Sequence, residues 1–189
     1  MRRLAIEAWR RAGAMGLVSP DAASSDSPDL AHLLQQLREA GIARLPAMRL
    51  ATAVSPSTAE AEKVLRFVIA ALDASPVPSY EWPAVSRVLD ADQLGALLNI
   101  SPASLRRYAA GERKTPDEVA ARLHHLALIV GDLAGAYNDV GVRRWFHRAR
   151  TALNGRTPAA LLSGDWNPDE EEPRKVRELA RSLVTMSAT

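Results

Sequence analysis

The chain has 189 residues, with 24 lysines and arginines against 22 acidic residues, a formal net charge of +2, 47% hydrophobic residues and no cysteine. That is an ordinary balance for a globular protein of one or two small domains, and without a thiol it excludes a disulfide framework, a thiolate metal site and cysteine nucleophiles. Glu7, Arg10 and Arg11 interrupt the N-terminus before a signal-peptide core could form, and the most apolar window, residues 126–137, is too short for a bilayer and contains Asp132, so the expectation is a cytoplasmic protein with no membrane partner.

Taken in chain order, apolar residues recur at helical spacing and no segment alternates as a strand would, which predicts an all-α fold. A first helix is expected over Arg3–Met15, then a polar connection from Ser19 to Pro28. A second helix should run from Asp29 to about Ala40, with Leu30, Leu33, Leu34 and Leu37 on one face and Gly41 as its stop. Residues 44–57 show no period and read as a loop or extended arm. A third helix is capped by Ser57, with Glu60 in capping-box position, and Val64, Leu65, Phe67, Val68, Ile69 and Leu72 make it so apolar that burial on most sides is expected.

Three prolines between Ser75 and Pro83 suggest a boundary. A short helix near Trp82–Leu89 follows, then two close helices, then a long helix from Pro116 to about Asn138, whose Gly131 and Gly135 leave room for another helix to approach. Further helices are expected over Val142–Leu153, from Pro158 to a stop at Gly164, and from Pro173 to about Val184. This divides the chain into a helical N-terminal region (1–80) suited to dimerisation or partner binding, a central domain (81–138) and a small helical C-terminal domain (139–189).

The segment from Leu94 to Gly111 is the most specific. Asp90 or Asp92 can cap a helix bearing Leu94, Leu97 and Leu98, and Gly95 and Ala96 are small enough for a second helix to pack closely. Asn99 stands at the turn, where a residue tolerant of the left-handed conformation is needed. Ser101 supplies the next N-cap and Pro102 the first helical position. With Ile100, Leu105 and Tyr108 turned inward, Ser101, Ala103, Ser104, Arg106 and Arg107 lie on the outer surface, the arrangement of a helix-turn-helix that reads the major groove. Arg113 and Lys114 follow in a loop placed for phosphate contact, before a new helix capped at Thr115. A pair of exposed arginines is more commonly a solvated face. Here cap, turn residue, small packing residue and basic face all agree.

Charge distribution supports the same reading. Residues 100–160 carry ten basic and five acidic residues, and from 161 onward the balance reverses to six acidic and four basic, which suits two different partners. The four histidines, His32, His124, His125 and His147, have no metal-ligand company in sequence, and no phosphate loop, nucleophile elbow or triad spacing occurs. Neither an enzyme nor a cofactor or metal site is expected.

Residues 84–184 resemble the Xre/MbcA/ParS antitoxin family, an Xre-like helix-turn-helix followed by a toxin-binding domain. The resemblance rests on residues 94–101, on Gly111-Glu112-Arg113-Lys114-Thr115-Pro116, on Arg144-Trp145-Phe146 and on residues 153–162, where the family has a leucine, a glycine pair, Thr or Ser with Pro, and a leucine pair. Here Asn154 replaces the first glycine of that pair. The resemblance implies a type II antitoxin, a homodimer, that binds its own operator and neutralises a RES-type toxin that attacks NAD. By position it implies a toxin-facing surface on the last helix, with Leu179, Leu183 and Val184 as apolar contacts and Arg177 and Arg181 as polar ones. The alternative is a stand-alone helix-turn-helix regulator whose C-terminal domain dimerises or binds another protein.

Overall fold

The computed structural model describes residues 1–19, 30–42 and 57–186, the last three by backbone alone. The fold is all-α, with no strand among the described residues. Its helices are α1 (Arg2–Ala14), α2 (Leu30–Glu39), α3 (Thr58–Asp73), α4 (Pro78–Val88), α5 (Ala91–Leu98), α6 (Pro102–Ala109), α7 (Asp117–Ala134), α8 (Asp139–Phe146), α9 (Pro158–Leu161) and α10 (Glu171–Met186), with a 3₁₀ turn at Thr151–Leu153 before α9. The expected connection over 19–28 and the arm over 44–57 fall almost wholly outside the described residues.

α7 is the axis of the molecule. α1, α4 and α10 all pack on it, so every residue from Arg122 to Leu133 is buried. The surrounding helices cover its polar positions Arg122, His124, His125 and Asp132 as well as its apolar ones. Two apolar cores meet along this helix. One joins α1, α2 and α3 and takes Leu128 from α7; the other runs from Trp82 to Ala180, continuing across residues 138 and 139.

The approach of α1 depends on the two glycines in the last turns of α7. A Cβ at Gly131 would overlap the Ala14 methyl, and one at Gly135 would lie 3.1 Å from the Arg10 guanidinium carbon. α1 then stops at Gly16, whose φ of +78° lets the Leu17 N–H return to the Ala12 carbonyl at 2.8 Å.

Several elements differ from expectation for identifiable reasons. α3 has the Ser57–Glu60 capping box but is buried on one face only: Leu65, Val68, Ile69 and Leu72 are covered, while Phe67 is 54% exposed. The proline-rich stretch opens α4 early, since Pro78 occupies a first-turn position that needs no N–H, and Pro83 lies within the helix. α7 ends at Gly135 because the Asn138 side chain caps the next helix, accepting the Gly141 N–H at 2.9 Å. α8 therefore starts earlier than expected and stops at Phe146, where Arg150 folds back over the Trp145 ring at 5.3 Å and its N–H bonds the Arg156 carbonyl. α10 begins two residues before Pro173, at Glu171. Among the described residues no helix is long and apolar enough to cross a membrane.

Candidate nucleic-acid interface

α5 and α6 form a helix-turn-helix built as the residues dictate. The Asp90 side chain accepts the Gln93 N–H at 2.8 Å, which settles the cap between the two candidate aspartates. Asn99 takes the left-handed conformation, φ 54° and ψ 48°, and lets the Ile100 N–H reach back to the Gly95 carbonyl. Gly95 is the point of close approach: a Cβ there would lie 3.4 Å from the Ile100 carbonyl oxygen and 3.8 Å from a Leu105 methyl. Ala96, expected to share that role, is exposed.

Ser101 caps α6 by accepting the Ser104 N–H at 3.2 Å, and its hydroxyl lies 3.1 Å from Ser104 Oγ. Ser101 is thus committed to the helix start. Leu105 and Tyr108 are buried, and Trp82 stacks on Tyr108 while its indole N–H donates to Thr115 Oγ1 at 2.9 Å. Thr115 is therefore a hydrogen-bond acceptor for α4, and Pro116 takes the cap position of α7.

Ala103, Arg106 and Arg107 are exposed on the face of α6 opposite Leu105 and Tyr108; Ser104 is half-buried at its edge. α6 ends at Gly111, φ +70°, and the loop beyond it exposes Arg113 and Lys114. Arg113 lies over the Tyr108 ring at 5.8 Å. The side chains of Arg106, Arg107 and Lys114 make no ion pair among the described residues. These exposed side chains carry donors that no carboxylate of the described residues takes up, which bidentate recognition of guanine and contact with phosphate require.

The far end of α5 is held by the C-terminal part of the chain. A helix leaves its last carbonyls without partners. Here the Trp166 indole donates to the Leu97 carbonyl at 2.8 Å, and buried Arg122 reaches the Leu98 carbonyl at 3.4 Å while donating to the Trp166 carbonyl and pairing with Asp165. Neither Arg122 nor Trp166 stood out in sequence, since their roles depend on contacts across 24 to 69 positions.

The residues expected to face a toxin are engaged within the chain. Arg177 pairs with Asp73 at 2.6 Å and Arg181 with Glu7 at 3.1 Å; Asp73 also pairs with buried Arg11 of α1. Leu179 and Leu183 are half-buried against the larger core, and the side chain of Val184 lies outside the described residues.

Beside this junction, burial pushes the Asp132 carboxyl up to about 6, against the opposing pull of Arg11, Arg177 and Arg181. Burial also pushes His125 down to about 4, although its Nε2–H donates to the Pro173 carbonyl. His124 lies between Glu81, 2.6 Å from Nδ1, and the Asp73 carbonyl, 3.1 Å from Nε2. Both adjacent histidines thus serve as struts between helices.

The segment 153–162 also has a defined shape. Asn154 (φ 55°) and Gly155 (φ 78°) form two successive left-handed residues, then the Thr157 side chain caps α9 and Pro158 opens it. The asparagine does the conformational work of a glycine at the first of these positions. No family model, curated protein or solved structure matches the chain.

Proposed function

We propose that the protein is a sequence-specific DNA-binding regulator that reads the major groove with α6. The supporting observation is the capped, left-handed turn between α5 and α6 together with the exposed arginines of α6, which no carboxylate of the described residues neutralises. Ala103, Ser104, Arg106 and Arg107 face the bases, Arg113 and Lys114 the backbone, and Ser101 sets the start of the reading helix.

An electrophoretic shift against the DNA upstream of its own reading frame tests this. The intact protein should shift that fragment in the presence of excess random duplex, and Arg106→Ala and Arg107→Ala should each cost about 1–3 kcal/mol of discrimination. Equal loss on specific and random DNA would refute base reading.

We further propose that the regulator is a type II antitoxin, with a RES-type NAD-degrading toxin as its second partner and the promoter of the pair as its operator. The Asn154–Gly155 turn followed by the Thr157 cap and Pro158 favours this, because the segment that carries the resemblance holds its two turn residues in the left-handed conformation that a glycine pair adopts readily. Co-expression with a neighbouring RES-type reading frame should rescue growth and yield a co-purifying complex. Absence of such a frame, or of the complex, would leave the regulator without the antitoxin role.

A further inference from the structure

The basic residues of α8 and of the turn that follows it divide into two kinds. Arg143 donates to the Val88 carbonyl at 2.7 Å, and Arg150 stacks on Trp145, so both are consumed by packing. Arg144 and Arg148 are exposed and make no ion pair among the described residues. Arg144 lies in the last turn of α8, and Arg148 in the turn just beyond it, where the Arg148 N–H bonds the Trp145 carbonyl.

This turn is fixed against the helix-turn-helix. Gln93, in the first turn of α5, donates its amide to the Arg143 carbonyl at 3.2 Å and lies 3.1 Å from His147 Nε2. With Arg143 also bound to the end of α4, the segment 143–147 is clamped beside the N-terminal end of α5, and Arg148 follows it directly. In a helix-turn-helix complex the first helix crosses the sugar–phosphate backbone while the second enters the groove. Asp92 is exposed at the same end of α5, so a phosphate there would meet repulsion unless cations stood close by.

We propose that Arg144 and Arg148 form a second DNA-contacting element, gripping backbone phosphates alongside α5 and fixing the angle at which α6 enters the groove. This rests on the reading of α5–α6 as a DNA reader. It adds affinity and no sequence preference, because phosphates are common to every sequence.

The test measures binding of the full chain, as a function of salt, to a duplex selected by that chain from a random pool and to a scrambled duplex of equal composition. Removing one cation–phosphate pairing lowers the slope of log K against log salt by about 0.9, so Arg144→Ala/Arg148→Ala should lower it by about 1.8 on both duplexes. The ratio between the two affinities should stay unchanged. The Arg144→Lys/Arg148→Lys pair should restore most of the slope, and Lys63→Ala/Arg66→Ala, which removes two exposed cations from α3, should leave it intact. An unchanged slope in the α8 alanine pair, with normal selectivity in the unmodified chain, overturns the phosphate grip and leaves the α6 reading standing. An equal fall in the α3 control would mean that net charge alone is responsible, and also overturns it. No binding of either duplex by the unmodified chain overturns both.

Discussion

The α5–α6 surface and the junction of α1, α3, α7 and α10 are both rich in arginine, yet their arginines are employed in opposite ways. In the junction, Arg11, Arg177 and Arg181 each face a carboxylate from another helix, and Asp73 alone holds two of them. On the α5–α6 surface, Arg106 and Arg107 face water with no carboxylate partner among the described residues. A net charge of +2 averages over both regions and reveals neither. Pairing is what separates cations that hold a fold from cations left available to a polyanion.

The contrast can be broken most forcefully at Asp73. Asp73→Asn leaves the 3% exposed Arg11 with Glu7 as its remaining carboxylate and releases Arg177. Breaking a buried pair costs about 3–5 kcal/mol, and because Asp73 is a quarter exposed the expected loss in urea unfolding is about 2–3 kcal/mol. DNA binding by the folded fraction should be unaffected.

The next effect is a dependence on pH. Asp132, raised to about 6, binds its proton more tightly folded than unfolded, so acidification from above pH 6 toward 4 stabilises through this group. His125, lowered to about 4, is protonated first in the unfolded chain, so acidification from about pH 6.5 to 4 destabilises through it. The two act in one window with opposite signs. Relative to the unmodified chain, Asp132→Asn should become less stable toward acid and His125→Gln more stable, by about 2–3 kcal/mol between pH 7 and 4 in unfolding midpoints. Curves parallel to that of the unmodified chain would remove both residues from the balance.

A smaller effect belongs to the turn. A side chain without local hydrogen-bonding ability in the left-handed conformation costs about 1–2 kcal/mol, so Asn99→Ala should lower stability by about 1 kcal/mol, while Asn99→Gly should change it by less than half of that. The smallest effect is the sharpest counterpart to Asp73: Arg106→Ala/Arg107→Ala should leave the unfolding midpoint within about 0.5 kcal/mol and abolish selective DNA binding. A large stability loss here would show that these arginines are structural after all.

What could be read from the sequence follows the range of the interaction involved. The α5–α6 unit was legible because its determinants, Asp90, Asn99, Ser101 and Pro102, act on neighbours within a few positions. The close approach at Gly131 and Gly135 was legible as a vacancy, although only the structure shows α1 filling it. The Asp73 junction and the Arg122–Trp166 clamp were not legible, because their partners lie 24 to 104 positions apart and neither has a local pattern. Phe67 misled for the complementary reason: a run of apolar residues fixes helix but not how many neighbours the helix will have. The role of Arg177 and Arg181 inside the chain also bears on the antitoxin proposal, since a partner seated on that face of α10 would compete with Asp73 and Glu7 for them.

The indole of Trp166 closes the last turn of α5 from 69 positions downstream. A chain emerging from the ribosome can make the turn at Asn99 and the cap at Ser101 as soon as those residues appear, but the carbonyls of Leu97 and Leu98 stay hydrated until Arg122 and Trp166 arrive. The α5–α6 unit thus reaches its final form late in synthesis, after α7, α8 and α9 are complete. A nascent chain that stalls before residue 166 would display α6 without the clamp that steadies its neighbour.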